Sequence, residues 1–211
     1  MKKIIITLAL AVAACTTAFA QLGGLSVGAG YLDNTIKSVY TSGSTSTTTT
    51  QAYGGFYAGL SYDVLTIGPG ITITPGLYFA STSFKDVDTV LGVTTTTTGN
   101  ESYIAVPVNV SYKLNLVPSV LAIAPYVGPT FAYGLSSKGS VAVGNTTTTS
   151  DHYDGTTYGK FDLQVGVGLA FDIVEMVRVS VGYNFGLLDR DSDEDTKVTT
   201  SNLNFGVAYL F

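Results

Sequence analysis

Apolar residues recur at every second position in eight separate segments of the chain. These segments are 24–31, 55–62, 71–80, 103–112, 121–133, 160–171, 177–186 and 202–211. A period of two residues places successive side chains on opposite faces of a β-strand, so each segment predicts a strand with one apolar face. The segment 202–211 keeps this alternation up to the terminal Phe211, where a frayed polar end would be usual.

The opposite faces of these strands are small rather than charged. The 211 residues include 24 glycines, and only 12% of them are charged, compared with roughly 25% in a typical soluble domain. A soluble sandwich would need a more charged outer surface, whereas small residues fit the narrow interior of an eight-stranded barrel. The pattern therefore predicts an all-β fold, an eight-stranded antiparallel up-and-down transmembrane β-barrel with alternate side chains facing lipid.

The connections between the predicted strands alternate in length. The short ones lie near 63–69, 115–119 and 173–176. The long, polar ones lie near 33–51, 82–100, 136–156 and 188–198. Short periplasmic turns and long external loops are typical of outer-membrane barrels, and an even strand number places both termini on the periplasmic rim. Because lipid excludes an unpaired sheet edge, the last strand is expected to pair with the first.

The first twenty residues have the pattern of a secretory signal peptide. Lys2 and Lys3 precede an apolar stretch at 4–14 that is too short to span a bilayer, and residues 18–20 read Ala-Phe-Ala. This predicts cleavage after residue 20. The sequence before Cys15, Val-Ala-Ala, also resembles a bacterial lipobox, which leaves lipidation of Cys15 as an alternative.

Cleavage would leave one barrel domain, residues 21–211. The whole chain carries a net charge of −5, and loss of Lys2 and Lys3 makes the domain more acidic, which excludes nucleic acid as an expected partner. The expected partners are outer-membrane lipid and lipopolysaccharide, the barrel-assembly machinery during biogenesis, and a surface ligand or an envelope partner protein.

Catalysis and cofactor binding are not expected. The single histidine, His152, has Ser150 and Asp154 as candidate partners, but all three fall in one loop, where catalytic geometry is hard to maintain. Asp189, Asp191, Asp193 and Asp195 form an acidic run that could hold Ca²⁺ weakly. The glycine and distal glutamate of an EF-hand loop are missing, so no metal is expected beyond a weak bridge to lipopolysaccharide phosphates.

Five charged residues fall on predicted inward faces. We interpret them as a lumen charge network, made of Lys113, Lys160, Asp162, Asp172 and Arg178. Asp172 and Arg178 flank the turn at 173–176, so they are expected to meet across a hairpin. Because unpaired charges inside a narrow barrel are costly, pairing is expected. The network would act either as a plug or as a selectivity-setting constriction.

Runs of threonine fall in three of the predicted long connections, at 41–50, 94–98 and 146–149. Threonine favours β-structure and tolerates water, so these runs predict strands that continue beyond the membrane as a hairpin rim. Glycan attachment and surface adhesion are the alternatives.

Two stretches resemble known families. The final "NFGVAYLF" resembles the C-terminal signal read by the barrel-assembly machinery of Gram-negative bacteria, with Asn204, Gly206, Tyr209 and Phe211 as the matching residues. The stretches "YIAVPVNVSYKLNL", "APYVGPTFAYGL", "FDLQVGVGLAFDI" and "VRVSVGYNFGLLD" resemble the porin-family outer-membrane β-barrel proteins of Bacteroidota, and the size is similar to OmpA/OmpX-type barrels. These resemblances imply a barrel fold and a place in the bacterial cell outer membrane.

Three functions compete on this basis. The first is a structural or surface-interaction role through the threonine-rich loops, with a plugged lumen; it would need exposed aromatic residues such as Tyr40, Tyr53, Tyr153 and Tyr158. The second is a low-conductance porin for small solutes or ions. The third is an accessory barrel in an envelope assembly or secretion machine.

Overall fold

A computed structural model describes residues 24–211 except 69, 91, 145, 155–157, 192 and 194. The predicted signal peptide, residues 1–20, and the alternative lipidation site at Cys15 lie outside the described residues. The described residues contain eleven β-strands: β1 (Leu25–Ser42), β2 (Thr45–Tyr62), β3 (Leu65–Ile67), β4 (Ile71–Val90), β5 (Val93–Tyr112), β6 (Leu114–Val117), β7 (Leu121–Val143), β8 (Thr146–Asp151), β9 (Phe161–Ile173), β10 (Val177–Gly186) and β11 (Thr196–Leu210).

Eight of these strands close into a ring in which every neighbouring pair is antiparallel. Going round the ring they are β1, β2, β4, β5, β7, β9, β10 and β11. The ring closes between the first and last strands, which pair from Ser26 with Leu210 to Tyr40 with Thr196. The predicted eight-stranded up-and-down barrel is therefore confirmed. The short strands β3, β6 and β8 only lengthen hairpins, by pairing with β4 or β7.

The two faces of the ring differ as the alternation predicts. On β2, β4 and β11, apolar side chains such as Phe56, Leu77 and Val207 point outward and are about half exposed. Between them, inward residues such as Ala80 and Thr82 are almost fully buried. The outer face is apolar because lipid covers it, and the inner face is small because eight strands enclose little space. No helix among the described residues is long and apolar enough to cross a membrane.

The two rims of the barrel carry different connections. We call the rim formed by 63–70, 113–120 and 174–176 the turn rim. We call the opposite rim the loop rim; it is formed by the tips at 43–44, 92 and 144 and by the described residues of the segments 152–160 and 187–195. The predicted long connections at 33–51, 82–100 and 136–156 are therefore mostly strand rather than loop.

The threonine runs explain why strand continues so far at the loop rim. Threonine is β-branched, and the register between β4 and β5 continues without a break up to the pair Val90 and Val93. Two-residue tips then reverse the chain. Gly43 and Gly92 have φ of 59° and 80°, values that glycine adopts without a steric penalty.

Candidate functional site in the barrel lumen

Charged side chains meet near the turn rim, on the inner wall. The Nε of Arg178 donates to one carboxylate oxygen of Asp172 at 2.6 Å, and its Nη2 donates to the other at 3.0 Å. The Nζ of Lys113 lies 3.2 Å from the same carboxylate, whose side chain is 1% exposed. Arg178 and Asp172 face each other because β9 and β10 pair in register. We call Lys113, Asp172 and Arg178 the floor triad.

The other two residues of the predicted lumen network lie elsewhere. Asp162 is buried near the loop rim, ten residues from Asp172 along β9. Lys160 was predicted to face inward, and this is wrong: it is exposed, and its ammonium lies 5.6 Å from the ring centroid of Tyr153. The reason is that Lys160 lies one residue outside β9 at the loop rim, where its carbonyl still accepts from the Gly134 N–H at 2.7 Å but its side chain is exposed.

A second buried ion pair lies at the loop rim, and the sequence did not reveal it. The Nη2 of Arg190 donates to Glu101 at 2.8 Å, and the two side chains are only 4% and 3% exposed. The Tyr153 hydroxyl donates to the same carboxylate at 2.7 Å and accepts from Arg190 at 2.9 Å. The Arg190 guanidinium also lies 4.4 Å from the ring centroid of Tyr158. We call Glu101, Tyr153, Tyr158 and Arg190 the mouth cluster.

One strand and two connections bring the residues of the mouth cluster together. Glu101 comes from β5, the tyrosines from the segment 152–160, and Arg190 from the segment 187–195. The Gly159 N–H donates to the Arg190 carbonyl at 2.6 Å, so the two segments also bond through their backbones. The two tyrosine rings stack with centroids 5.8 Å apart. The mouth cluster thus fastens both segments across the barrel opening.

Burial and neighbouring charges raise the pKa values of Tyr153, Tyr158 and Arg190 in the mouth cluster. Burial, followed by the nearby carboxylate of Glu101, raises the pKa of Tyr153 and of Tyr158, so both hydroxyls remain protonated donors. Burial disfavours the charged form of Arg190, but the charge of Glu101 outweighs this and raises the pKa of the guanidinium. The guanidinium therefore stays charged across the physiological pH range.

Polar amides form a hydrogen-bonded chain inside the lumen, beginning at Asp162. The Gln164 amide donates to Asp162 at 2.7 Å, and the Asn202 amide donates to Gln164 at 2.9 Å. The side-chain amides of Asn184 and Asn204 both donate to the side-chain oxygen Oδ1 of Asn202, at 2.9 and 3.3 Å. We call Gln164, Asn184, Asn202 and Asn204 the amide ladder. It lines a cavity of about 180 Å³, into which Tyr57, Tyr78, Tyr126 and Arg178 also project.

The remaining candidate residues lie at or near the loop rim. Of the four tyrosines predicted as exposed aromatics, Tyr40 is 52% exposed, whereas Tyr53 packs against Phe84 with ring centroids 4.6 Å apart. Tyr153 and Tyr158 are part of the mouth cluster. His152 Nδ1 lies 3.1 Å from the hydroxyl of Ser137, a residue that sequence reasoning did not consider.

The acidic run at the loop rim binds its own backbone. Asp189 accepts from the N–H of Asp191 at 3.1 Å and of Val198 at 2.8 Å. Asp191 accepts from the N–H of Asp193, and Asp193 from that of Asp195. No group of three or more metal-ligating side chains occurs within the part of the chain that the structure describes.

The four residues of the predicted assembly signal lie along β11 and just beyond it. Asn204 belongs to the amide ladder, and Gly206 lies under the Tyr57 hydroxyl, with which a Cβ would collide. The rings of Tyr209 and Phe211 meet edge to face, with centroids 4.9 Å apart. The Phe211 N–H donates to the Leu25 carbonyl at 2.9 Å, so the terminal residue extends the seam where the barrel closes.

Deleting Phe211 should reduce the amount of folded barrel in the outer membrane several-fold. The deletion removes the last bond of the β1–β11 seam and the aromatic partner of Tyr209. Folded protein is measured by its shifted mobility on an unheated gel. Phe211→Tyr keeps the ring and should assemble as the wild type does. Undiminished levels of the deletion variant would contradict the assembly role of this residue.

A closed ring with an apolar outer band and a small, polar interior defines a transmembrane β-barrel. Sequence comparison then gives the family: the model of the outer membrane protein beta-barrel domain matches residues 6–211. The chain belongs to this family, and its place is the outer membrane.

Solved structures with a similar arrangement are known at low identity. The attachment invasion locus protein Ail of Yersinia pestis is 17% identical with a TM-score of 0.48, over 90% of this chain and 99% of Ail. Neisserial surface protein A is 14% identical with a TM-score of 0.43, over 87% of this chain and 97% of that protein. The outer membrane enzyme PagL is 10% identical with a TM-score of 0.44, over 84% and 99%. No match was found among curated protein sequences.

Proposed function

We propose that this protein is a non-enzymatic outer-membrane barrel with a closed lumen that binds extended segments of partner proteins at the cell surface. The loop rim then faces outward, and both chain termini face the periplasm. The observation that carries the proposal is a pair of free strand edges at the loop rim, one without charge and one with a single terminal aspartate.

The first free edge is β8. Its residues 146–151 pair with 138–143 of β7, and no described strand pairs with its other side. The second is the upper part of β2. Residues 45–53 pair with β1, but the pairing of β2 with β4 covers only residues 54–61. Each edge therefore presents unpaired backbone donors and acceptors beyond the apolar band.

Most natural edges of this kind are protected by lysine, proline or a bulge. Neither of these two edges carries any of the three: residues 45–53 are uncharged, and β8 carries only the terminal Asp151. A row of unpaired peptide groups is complementary to another extended peptide. Threonine side chains on both edges favour partner strands rich in uncharged, β-branched residues.

The lumen supports an interaction role rather than transport. The mouth cluster and the floor triad place ion pairs near the two ends of one narrow cavity. An eight-stranded barrel has just enough interior for side chains to fill. The low-conductance pore remains the second candidate, because the amide ladder and Arg178 line one cavity inside the lumen.

Charging the β8 edge should abolish peptide binding. The folded protein in detergent is applied to an array of immobilised twelve-residue peptides that vary in charge and in β-branched content. The wild type should bind the uncharged, β-branched peptides. A variant with Thr147→Lys and Thr149→Lys should bind them about ten-fold less, because lysine obstructs strand addition at an edge.

The matched control carries the same two charges on a strand that has no free edge. Thr96 and Thr98 on β5 lie in the same cross-strand rows as Thr147 and Thr149 but are paired on both sides. Thr96→Lys with Thr98→Lys should leave binding near the wild-type level. Equal binding by both lysine variants, or binding that ignores the β-branched content of the peptides, would contradict the proposal.

A further inference from the structure

Four lysines lie on the outer face of the barrel, between its apolar band and the tips of the loop rim. We call them the lysine collar: Lys37 on β1, Lys85 on β4, Lys138 on β7 and Lys197 on β11. All four are exposed. They face outward because buried residues one or three positions away on the same strands face inward, namely Asn34, Thr82, Ser137 and Val198.

The collar keeps a nearly constant separation from the apolar band. The last exposed residues of the continuous band are Tyr31 on β1, Phe79 on β4 and Leu203 on β11. On each of these strands two polar outward residues come next, and the lysine lies six residues from the end of the band. On β7, Lys138 lies five residues beyond Tyr133, with the bulged Leu135 between them. The four lysines therefore stand at a similar height above the band.

This height lies beyond the headgroups of a phospholipid layer. Six residues of a strand tilted by about 40° rise roughly 15 Å above the apolar edge. A phospholipid headgroup layer is only about 5–7 Å thick, so it ends below the backbone of the collar. The phosphorylated saccharide of lipopolysaccharide extends further from the hydrocarbon. The collar lies beside this saccharide when the loop rim faces outward.

The collar lysines have no ion-pair partner among the described residues. The described ion pairs belong to the floor triad and the mouth cluster. Two acidic residues share the outward faces of the strands. Asp33 is four residues below Lys37, about 13 Å along the strand. Asp151 is opposite Lys138, but its carboxylate accepts from the Tyr153 N–H at 2.9 Å. The collar is therefore positive in a chain whose net charge is −5.

Two collar lysines are neighbours across the seam of the barrel. In the pairing of β1 with β11, Lys37 lies opposite Thr199, and Lys197 lies opposite Val39. The lysines are therefore diagonal neighbours, a position in which Cα atoms are about 7–8 Å apart. Ammonium groups this close repel each other, and an anion between them relieves the repulsion. A phosphate group can accept hydrogen bonds from both.

We infer that the lysine collar binds the phosphate groups of lipopolysaccharide, with Lys37 and Lys197 together forming its strongest site. Lysine suits this task, because its ammonium is a point charge on a flexible stem and needs no fixed bidentate geometry. The inference rests on the orientation in the proposed function, with the loop rim outward. It does not involve the free strand edges or peptide binding.

The first test compares lipopolysaccharide with and without its phosphates. The folded protein in neutral detergent is titrated with deep-rough lipopolysaccharide, and native mass spectrometry counts the bound molecules. The wild type should bind the phosphorylated lipid about ten-fold more tightly than the same lipid dephosphorylated with hydrofluoric acid. Added salt should reduce this difference. Phosphatidylglycerol, an anionic phospholipid, should bind no more tightly than the dephosphorylated lipid.

Substitutions at the seam locate the effect. Lys37→Gln with Lys197→Gln removes both charges and should weaken binding of the phosphorylated lipid roughly ten- to thirty-fold. Lys37→Arg with Lys197→Arg keeps both charges and should bind at least as tightly as the wild type. Lys160→Gln should leave binding unchanged, because this exposed lysine has its ammonium over the Tyr153 ring and is not part of the collar. Gel mobility confirms that each variant is folded.

Three results would overturn the inference. One is equal binding of the phosphorylated and dephosphorylated lipids by the wild type. Another is a folded glutamine variant that binds as tightly as the wild type. The third is equally tight binding of phosphatidylglycerol, which would assign the collar to phospholipid. None of them bears on peptide binding at β8, which the peptide array tests separately.

Discussion

Replacing Arg190 by methionine should lower the free energy of unfolding by about 3–5 kcal/mol. The variant leaves Glu101 buried without its cation, with the Tyr153 hydroxyl as its described polar partner, and the loss of this ion pair accounts for most of the cost. The chain has no tryptophan, so unfolding in urea is followed by circular dichroism of the barrel refolded in detergent.

Lys160→Met is the matched control for this prediction. It makes a similar change in the same region of the barrel, but Lys160 is exposed, so stability should change by no more than about 0.5 kcal/mol. The double variant Glu101→Leu with Arg190→Met should recover most of the lost stability, because it removes both charges. Equal destabilisation by Arg190→Met and Lys160→Met would show that the mouth ion pair does not stabilise the fold.

Opening the lumen should require changes at both ends. If the mouth cluster and the floor triad are two barriers in series, then Arg190→Ala and Arg178→Ala should each leave a planar bilayer silent, as the wild type does. The combined variant removes both guanidinium groups and should give resolved current steps. The measurement is single-channel recording of protein whose gel mobility shows that it is folded.

Each alternative outcome of the recordings has a definite meaning. Steady conductance of the wild type would favour the pore over the closed barrel. Conductance of one single variant, equal to that of the combined variant, would assign the whole barrier to that end. Lys160→Met again serves as the control, since it removes a cation that does not project into the lumen.

The fold could be predicted from the sequence because lipid and a narrow interior impose opposite requirements on alternate residues. Phe205 and Val207 face lipid, while Gly206 between them lies under Tyr57. The contrast between large outward and small inward residues is therefore visible in three consecutive residues of the sequence. The pairing of Arg178 with Asp172 is equally local, because six residues and one turn separate them. Periodicity and short spacing are properties that a sequence displays directly.

The mouth cluster could not be predicted in the same way. Arg190 and Glu101 are 89 residues apart, and Arg190 lies between aspartates, where its charge would be expected to be satisfied locally. Lys160 was assigned to the lumen because the alternation was extended one residue beyond the start of β9. One signal was available. Glu101 continues the inward register of Tyr103 on β5, and a buried carboxylate needs a cation beside it, which can come from a distant part of the sequence.

The paired hairpins of the loop rim also limit how this chain can diverge. Because β4, β5, β7 and β8 continue in register to their tips, an insertion of one residue would reverse which side chains face each way above it. Insertions or deletions of two residues at 91–92 or 144–145, one on each strand, would leave every pair below untouched. Homologues should therefore differ in the total lengths of these hairpins by even numbers of residues, while the lengths of the strands within the membrane stay fixed.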